Sequence, residues 1–450
     1  MASDTSSPPG TADTHRAIEA VWHIESARLI ADIARVVRDV GIAEELAQDA
    51  LVAALEQWPT SGIPRNPGAW LMTTAKHRAI DLVRRNVRLE QRQGALARAF
   101  EDRQDLTAAD FEAVEDDVSD DLLRLMFTAC HPVLAPEARV ALTLRLIGGL
   151  TTAEIARAFL VPEPTIAQRV VRAKRSLARA GVPFEVPSGD ELEARLASVL
   201  EVLYLVFNEG YAATSGEDWM RPALCEDALR LGRILAGLMP AEPEVHGLVA
   251  LMEIQASRMN ARLGPLGEPI LLLEQNRGRW DHVLIGRGLA ALARAESLGG
   301  ARGPYTLQAG IAACHARAHA PEETDWARMV ALYDALIEVV PSPVVALNRA
   351  VAVGMAFGPA AGLLATDGLL DEPALQSYHL LPSVRGDLLA KLDRRGEARA
   401  EFERAASLTH NVRERDLLLA RARHGETKHV ETKKGRGASL VPSESHTDAA

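Results

Sequence analysis

Aromatic residues are scarce in this sequence, at 4% of 450 positions, and cysteine is scarcer still, at three. Cys130, Cys225 and Cys314 lie far apart and no Cys-x-x-Cys pair occurs. That argues against a zinc ribbon or a disulfide framework and fits a reducing compartment. No apolar run reaches the roughly 18 residues of a membrane span. The opening MASDTSSPPGTADTH is polar and lacks the hydrophobic segment of a secretory signal. A cytoplasmic chain that does not engage membranes is the expectation. Also missing are a P-loop, a G-x-S-x-G elbow and a GxGxxG after a strand. With no catalytic constellation, the chain is expected not to be an enzyme and to need no cofactor.

What is present is an apolar fraction of 48%, ample for packed cores, in a length that suits two or three domains. Alanine, leucine and arginine dominate, and β-branched alternation is rare, so the fold class is nearly all-α. The net charge of −11 argues against a uniformly basic coat but leaves room for local basic faces.

Residues 1–14 read as a disordered lead. An amphipathic helical stretch runs from Ala17 to Trp58, broken near DVGIAEE, and a proline loop follows. A second helix starts at Ala69, so the first domain spans 15–98. Between Glu101 and Asp121 stand ten acids against Arg103 alone, which makes 99–120 an acidic linker. Residues 121–182 form a second helical unit, closed by GVPFEVPSGDE. From 183 to 423 turns recur every 20–40 residues, as in stacked helical hairpins. Residues 424–450 have no periodicity and read as a disordered tail.

Two helical stretches carry the recognition chemistry. In GLTTAEIARAFLVPEPTIAQRVVRAKRSL, Thr152 is the expected N-cap of a short helix whose Ile155, Ala156 and Phe159 share a face. LVPEP makes the turn, with Pro164 in the first turn of the next helix. That helix has Ile166, Val170, Ala173 and Leu177 on its apolar side and no acid between Thr165 and Ala180. Thr165, Gln168 and Arg169 at its start suit base edges in a major groove; Arg172, Lys174 and Arg175 suit phosphates. The second stretch, WLMTTAKHRAIDLVRRNVR, puts Lys76, His77, Arg78, Arg84, Arg85 and Arg88 behind Trp70. Aromatic and basic residues together suit melted or single-stranded DNA. The plain alternative for both is a solvated helix with a basic face.

The order of these parts resembles the extracytoplasmic-function (ECF) group of sigma-70 factors. AEELAQDALVAAL looks like their region 2.2, which implies that Glu44, Glu45, Leu46, Gln48, Leu51 and Leu55 contact core RNA polymerase at its beta-prime clamp helices. AWLMTTAKHRAIDLVRR resembles regions 2.3 and 2.4, which melt and read the −10 element. PEARVALTLRLIGGLTTAEIARAFLVPEPTIAQRVVRAKRSL resembles region 4, which reads the −35 element and meets the beta flap. Pro164 stands where this group commonly has glycine. VLYLVFNEGYAATSGEDWMRPALCEDALRLGRILAGLMP and LLLEQNRGRWD resemble the extension of one subfamily, which implies a tetratricopeptide-like regulatory domain. That subfamily often accompanies small DGPF-type (YCII-related) proteins, so such a protein or another regulator is the implied partner there. The implied function is promoter recognition and transcription initiation, controlled by the chain's own extension. The other open reading is a helix-turn-helix transcriptional regulator with a helical-repeat sensor.

Three features point elsewhere. His315 and His319 stand one helical turn apart beside Cys314 and could share a metal, yet no third ligand is near in sequence. Cys130 in CHP has the look of either a redox thiol or a buried structural cysteine. FNEGYAATSGEDW, Phe207 to Trp219, is a polar and aromatic insert, either a ligand contact or a structured loop.

Overall fold

The computed structural model describes residues 11–93, 118–159, 161–212, 220–265, 267–409 and 411–435. Most of the acidic linker, residues 1–10 of the lead and residues 436–450 of the tail lie outside the described residues. Among the described residues the protein has 18 α-helices and no strand, with one isolated bridge between Leu263 and Pro269. The all-α class is borne out. Contacts divide the chain into two compact units, residues 1–210 with 222–241, and residues 211–221 with 242–450.

The first unit opens with α1 (Thr11–Val37), α2 (Val40–Ser61) and α3 (Pro67–Gln93). Helix α1 therefore starts inside the expected lead, and Thr14 is already buried. The break between α1 and α2 falls at Arg38, whose φ is +55°, just before DVGIAEE. Asp39 then caps α2, accepting from the Gly41 and Ile42 N–H groups at 2.7 and 3.0 Å. The core between these helices is built from Leu29, Ile30 and Ile33 of α1, Ala47 and Trp58 of α2, and Leu71 of α3, all buried.

Four helices follow, α4 (Val118–Ala129), α5 (Pro136–Leu146), α6 (Thr152–Ala158) and α7 (Glu163–Ala180). The cap of α6 is Thr151, one residue earlier than expected. Thr151 and Glu154 form a reciprocal capping box, which Thr152 cannot make because its partner position holds an isoleucine. Ile166, Val170, Ala173 and Leu177 of α7 are all buried, as their spacing predicts. Gly149 precedes this hairpin with φ of +74°, and a Cβ there would lie 3.1 Å from the Ser26 Oγ of α1. The left-handed backbone angle favours glycine, and the close approach leaves little room for a Cβ.

The first unit continues past the proline break at 182–187, because α8 (Asp190–Tyr211) and α9 (Pro222–Leu238) group with it. Helix α8 is bound to α4, α5 and their connection. Arg195 donates to the Phe127 carbonyl at 3.0 Å and Ser198 to the Cys130 carbonyl at 2.5 Å. Arg139 hydrogen-bonds Ser198 and pairs with Glu201 at 2.9 Å. From α9, Arg230 donates to the Gly148 carbonyl at 3.0 Å.

The second unit contains α10 (Pro243–Ala256), α11 (His282–Ser297), α12 (Pro304–Arg317), α13 (Trp326–Val339), α14 (Pro343–Phe357), α15 (Pro359–Asp367), α16 (Leu380–Lys391), α17 (Arg395–Leu408) and α18 (Val412–Gly435). Most pack on helices one or two places away in sequence, with α12 set mainly against α10 and α13, the pattern of a helical-repeat stack. Ala398, Phe402 and Ala405, spaced as in a repeat's second helix, share one buried cluster with Leu388 and Leu418.

Candidate nucleic-acid and polymerase interfaces

Helix α2 presents one outward stripe. Glu45, Asp49, Val52, Leu55 and Glu56 are exposed along it, with spacings that return to the same side of a helix. Of the expected polymerase contacts, Glu45 and Leu55 lie on this stripe, while Gln48 and Leu51 are half-buried. Leu46 is buried in the core and Glu44 is buried at 3% exposure. Val52 and Asp49 also belong to the stripe, although their local pattern does not mark them. Val52 is 51% exposed although valine reads as core, and only the three-dimensional side it faces reveals it.

Glu44 is fully engaged. Arg145 Nε of α5 lies 2.7 Å from one carboxylate oxygen, Lys174 of α7 pairs with the other, and Gln48 donates from within α2 at 2.5 Å. One expected polymerase residue thus holds one expected −35 residue.

On α3, Trp70 is half-buried and meets buried Trp58 edge-on, with centroids 5.4 Å apart. His77, Arg84 and Arg85 are exposed. Arg78 forms a 3.5 Å ion pair with Asp49. Lys76 is half-buried near Asp32, whose carboxyl burial pushes up and Lys76 pulls back down. The side chain of Arg88 lies outside the described residues.

On α7, Gln168, Arg172 and Arg175 are exposed, and Thr165, Arg169 and Lys174 are half-buried. Glu163 at the start of the helix accepts from the Thr152 hydroxyl at 3.1 Å, tying the two helices of the hairpin together. Arg169 lines a small apolar cavity of about 240 Å³ whose walls include Ile155, Phe159, Ile166 and Leu205 of α8.

The remaining candidates are tied into packing. Cys130 is buried against Thr143, and burial pushes its thiol up to about 11, so it holds no reactive thiolate near neutral pH. His315 is buried edge-on to Trp326 and is pushed down to about 3 by burial and by the Arg258 and Arg277 guanidiniums. No group of three metal-ligating side chains occurs among the described residues. No helix among them is long and apolar enough to cross a membrane. Of the FNEGYAATSGEDW insert, residues 213–219 lie outside the described residues.

The sigma-70 region 2 family matches residues 25–89, and the sigma-70 region 4 family matches residues 124–177. Residues 195–296 match a family of unknown function, DUF6596. The chain is 42% identical over 395 residues to the uncharacterized protein R00370 of Rhizobium meliloti (strain 1021), covering 87% of this chain and 91% of that protein. It is 32% identical over 149 residues to the ECF RNA polymerase sigma factor SigK of Mycobacterium ulcerans (strain Agy99), covering 32% of this chain and 75% of that protein. SigK of Mycobacterium bovis (strain BCG / Pasteur 1173P2) matches to the same extent. No solved structure matches the chain.

Two sigma-70 segments in chain order, one carrying the Trp-led basic helix and the other the helix-turn-helix, define a DNA-binding protein of transcription initiation. The chain belongs to the ECF sigma factor family and carries a helical C-terminal extension.

Proposed function

We propose that this protein binds core RNA polymerase through the outward stripe of α2, reads the −10 region with α3 and the −35 region with α7, and is controlled by its own extension. The observation that carries the reading is the stripe itself. Val52 at 51% and Leu55 at 38% exposure stand among Glu45, Asp49 and Glu56. An apolar strip rimmed by acids has no use in a plain DNA-binding regulator and suits a protein partner. On α3, exposed His77, Arg84 and Arg85 supply cations for melted DNA. On α7, Gln168 and Arg169 serve base edges, while Arg172 and Arg175 serve phosphates. The beta-prime clamp helices are the partner of α2, and the beta flap is that of the α5–α7 unit. In the second unit, the helical stack offers a surface for a DGPF-type small protein or another regulator. The protein acts in the cytoplasm.

The test is core polymerase binding by Glu45→Lys and Val52→Asp, both surface changes that leave the core of the first unit intact. Each lowers affinity at least tenfold while thermal unfolding stays unchanged. Normal affinity in both folded variants contradicts the reading.

A further inference from the structure

Two stretches of unusual composition meet in the second unit. Tyr211 belongs to FNEGYAATSGEDW, and Arg277 and Trp280 belong to LLLEQNRGRWD. Arg258, just past α10, bridges them. It donates to the Tyr211 hydroxyl at 2.5 Å, and its guanidinium lies 5.9 Å from the centre of the Trp280 ring. Arg277 lies 5.1 Å from the same ring, and Arg262 stacks on Tyr211 at 3.6 Å. All three arginines come from residues 257–281, a connection between α10 and α11 that contains short 3-10 turns. Loops longer than about 12–15 residues are uncommon in compact domains and are usually functional.

The cluster carries more positive charge and more donors than its surroundings satisfy. Among the described residues, Arg258 and Arg277 hydrogen-bond neutral oxygens alone. Arg258 donates to Tyr211 and Gln255. Arg277 donates to the His315 and Ala318 carbonyls at 2.7 and 2.6 Å and to the Thr324 hydroxyl at 3.2 Å. Burial pushes the Arg277 guanidinium below its ordinary range; exposed Glu322 opposes that push, Arg258 adds to it and exposed Glu323 opposes it again. His315 beside them is pushed down to about 3 by burial and by the same two guanidiniums, the mark of a positive potential left uncancelled. The Nε groups of Arg258 and Arg277 and the indole N–H of Trp280 have no partner within the protein. Trp280 is 4% and Arg277 8% exposed, and an unpaired N–H shut away from solvent is costly. Cation–π attraction offsets part of this at Arg258, but its 5.7 and 5.9 Å to the Tyr211 and Trp280 rings stand near the ~6 Å limit of that attraction.

We propose that this cluster is a binding site for a small oxyanion, the carboxylate or phosphate group of a metabolite-sized ligand, held by the Arg258 guanidinium with Trp280 and Arg277 beside it. A neutral acceptor pairs the free N–H groups but leaves the two guanidiniums opposed; an oxyanion does both. The planar guanidinium also offers parallel N–H groups that match two oxygens of a carboxylate or phosphate. Arg258 is half-buried and is the arginine a ligand reaches. Arg277 is tied to the end of α12 and supplies charge. Arg262 stacks on Tyr211 and donates to its carbonyl, so it positions the ring whose hydroxyl holds Arg258. The inference goes beyond the sigma reading and does not depend on it: it gives the second unit a chemical input, whatever that input controls.

The test is hydrogen exchange of the full chain, read by peptide. The probes are sodium phosphate and sodium acetate at millimolar concentration, each against sodium chloride of equal ionic strength. Phosphate, acetate or both slow exchange in residues 257–281 and at the end of α12 by about threefold, the factor by which a bound ligand lowers the open population. Slowing by phosphate alone assigns a phosphate-bearing ligand, and slowing by acetate alone assigns a carboxylate. Phosphate held on the basic faces of α3 or α7 slows exchange in the first unit instead, so the peptide-level readout separates the two. Arg258→Gln abolishes the slowing and, because it removes a cation with no acid partner, melts no earlier than wild type in chloride. Arg258→Lys keeps the charge, loses the fork and loses most of the slowing. No slowing in the second unit by either anion, full slowing retained in Arg258→Gln or in Arg258→Lys, or an Arg258→Gln chain that melts several degrees early in chloride each overturns the site; the last marks Arg258 as a packing residue. The measurement contains no polymerase and no promoter, so its failure leaves the sigma reading intact, and a chain that supports no transcription leaves this site intact.

Discussion

His315 shows how a single residue joins sequence, packing and stability. Its spacing from His319 suggests a metal pair, but His319 lies past the end of α12 and no group of three metal-ligating side chains occurs among the described residues; burial against Trp326 and two nearby guanidiniums instead hold His315 neutral. A histidine whose pKa falls from 6.5 to about 3 on folding takes up its proton only when unfolded. Its contribution is therefore fully present above pH 6.5 and is lost as pH falls from there towards about 3. Going from pH 7 to pH 5 costs the second unit about 2 kcal/mol from this group alone. Hydrogen-exchange protection of α12 reports the loss, and His315→Phe removes most of that pH dependence. Equal pH dependence in wild type and variant contradicts this assignment. The sequence carried the spacing of the two histidines but not this outcome, because Arg258 and Arg277 reach the site from distant segments. Glu44 and Lys174 teach the same lesson. Each reads as a surface group on its own helix, and their pairing joins positions 130 residues apart, which no local pattern can show.

At the scale of elements, α7 was the most legible part of the chain. Its period of 3.6 separated Ile166, Val170, Ala173 and Leu177 from the basic faces, and all four are buried. Helix α2 was less so. Its stripe mixes Val52 and Leu55 with acids, and hydrophobic periodicity assigns such residues to the core. The start of α6 was misplaced by one residue because adjacent threonines offer the same cap, and only Thr151 has Glu154 at the right offset. On α7, the proposed division between base reading and phosphate binding is tested at two exposed residues, Gln168 and Arg175. Gln168→Ala relaxes discrimination at one base position by about 1–3 kcal/mol. Arg175→Ala weakens all promoter sequences alike and reduces the salt slope by about one. Binding to a panel of single-base promoter variants at several salt concentrations separates the two, and identical behaviour of both variants contradicts the division.

For the whole molecule, the proline break at 182–187 does not mark where the first compact unit ends. Helix α8 satisfies backbone carbonyls of Phe127 and Cys130 and engages Arg139, and α9 satisfies Gly148. The extension begins as a brace on the helix-turn-helix. A chain cut after Val186 strands the buried Arg139 and exposes the α8-facing side of α4 and α5, at about 1–3 kcal/mol for each group left unpaired. It is expected to show a loosened, protease-sensitive region around α4 and α5, whereas a chain cut after Ala241 keeps that region protected. Equal protection in both fragments contradicts the brace. Composition and turn spacing made the helical stack of the second unit legible, since its helices pack on others one or two places away in sequence. The brace was not legible, because Arg139–Glu201 and Arg195–Phe127 are long-range pairs between stretches that look like ordinary amphipathic helix.

The most direct measurement is run-off transcription with purified core RNA polymerase, the full chain and linear template drawn from upstream of the genes it controls. A sigma factor yields a discrete transcript that core polymerase alone does not make, abolished by Glu45→Lys in α2 and by loss of Arg84 and Arg85 in α3. Sequence-specific DNA binding without any transcript from core polymerase would contradict the sigma reading and leave a helix-turn-helix regulator in its place.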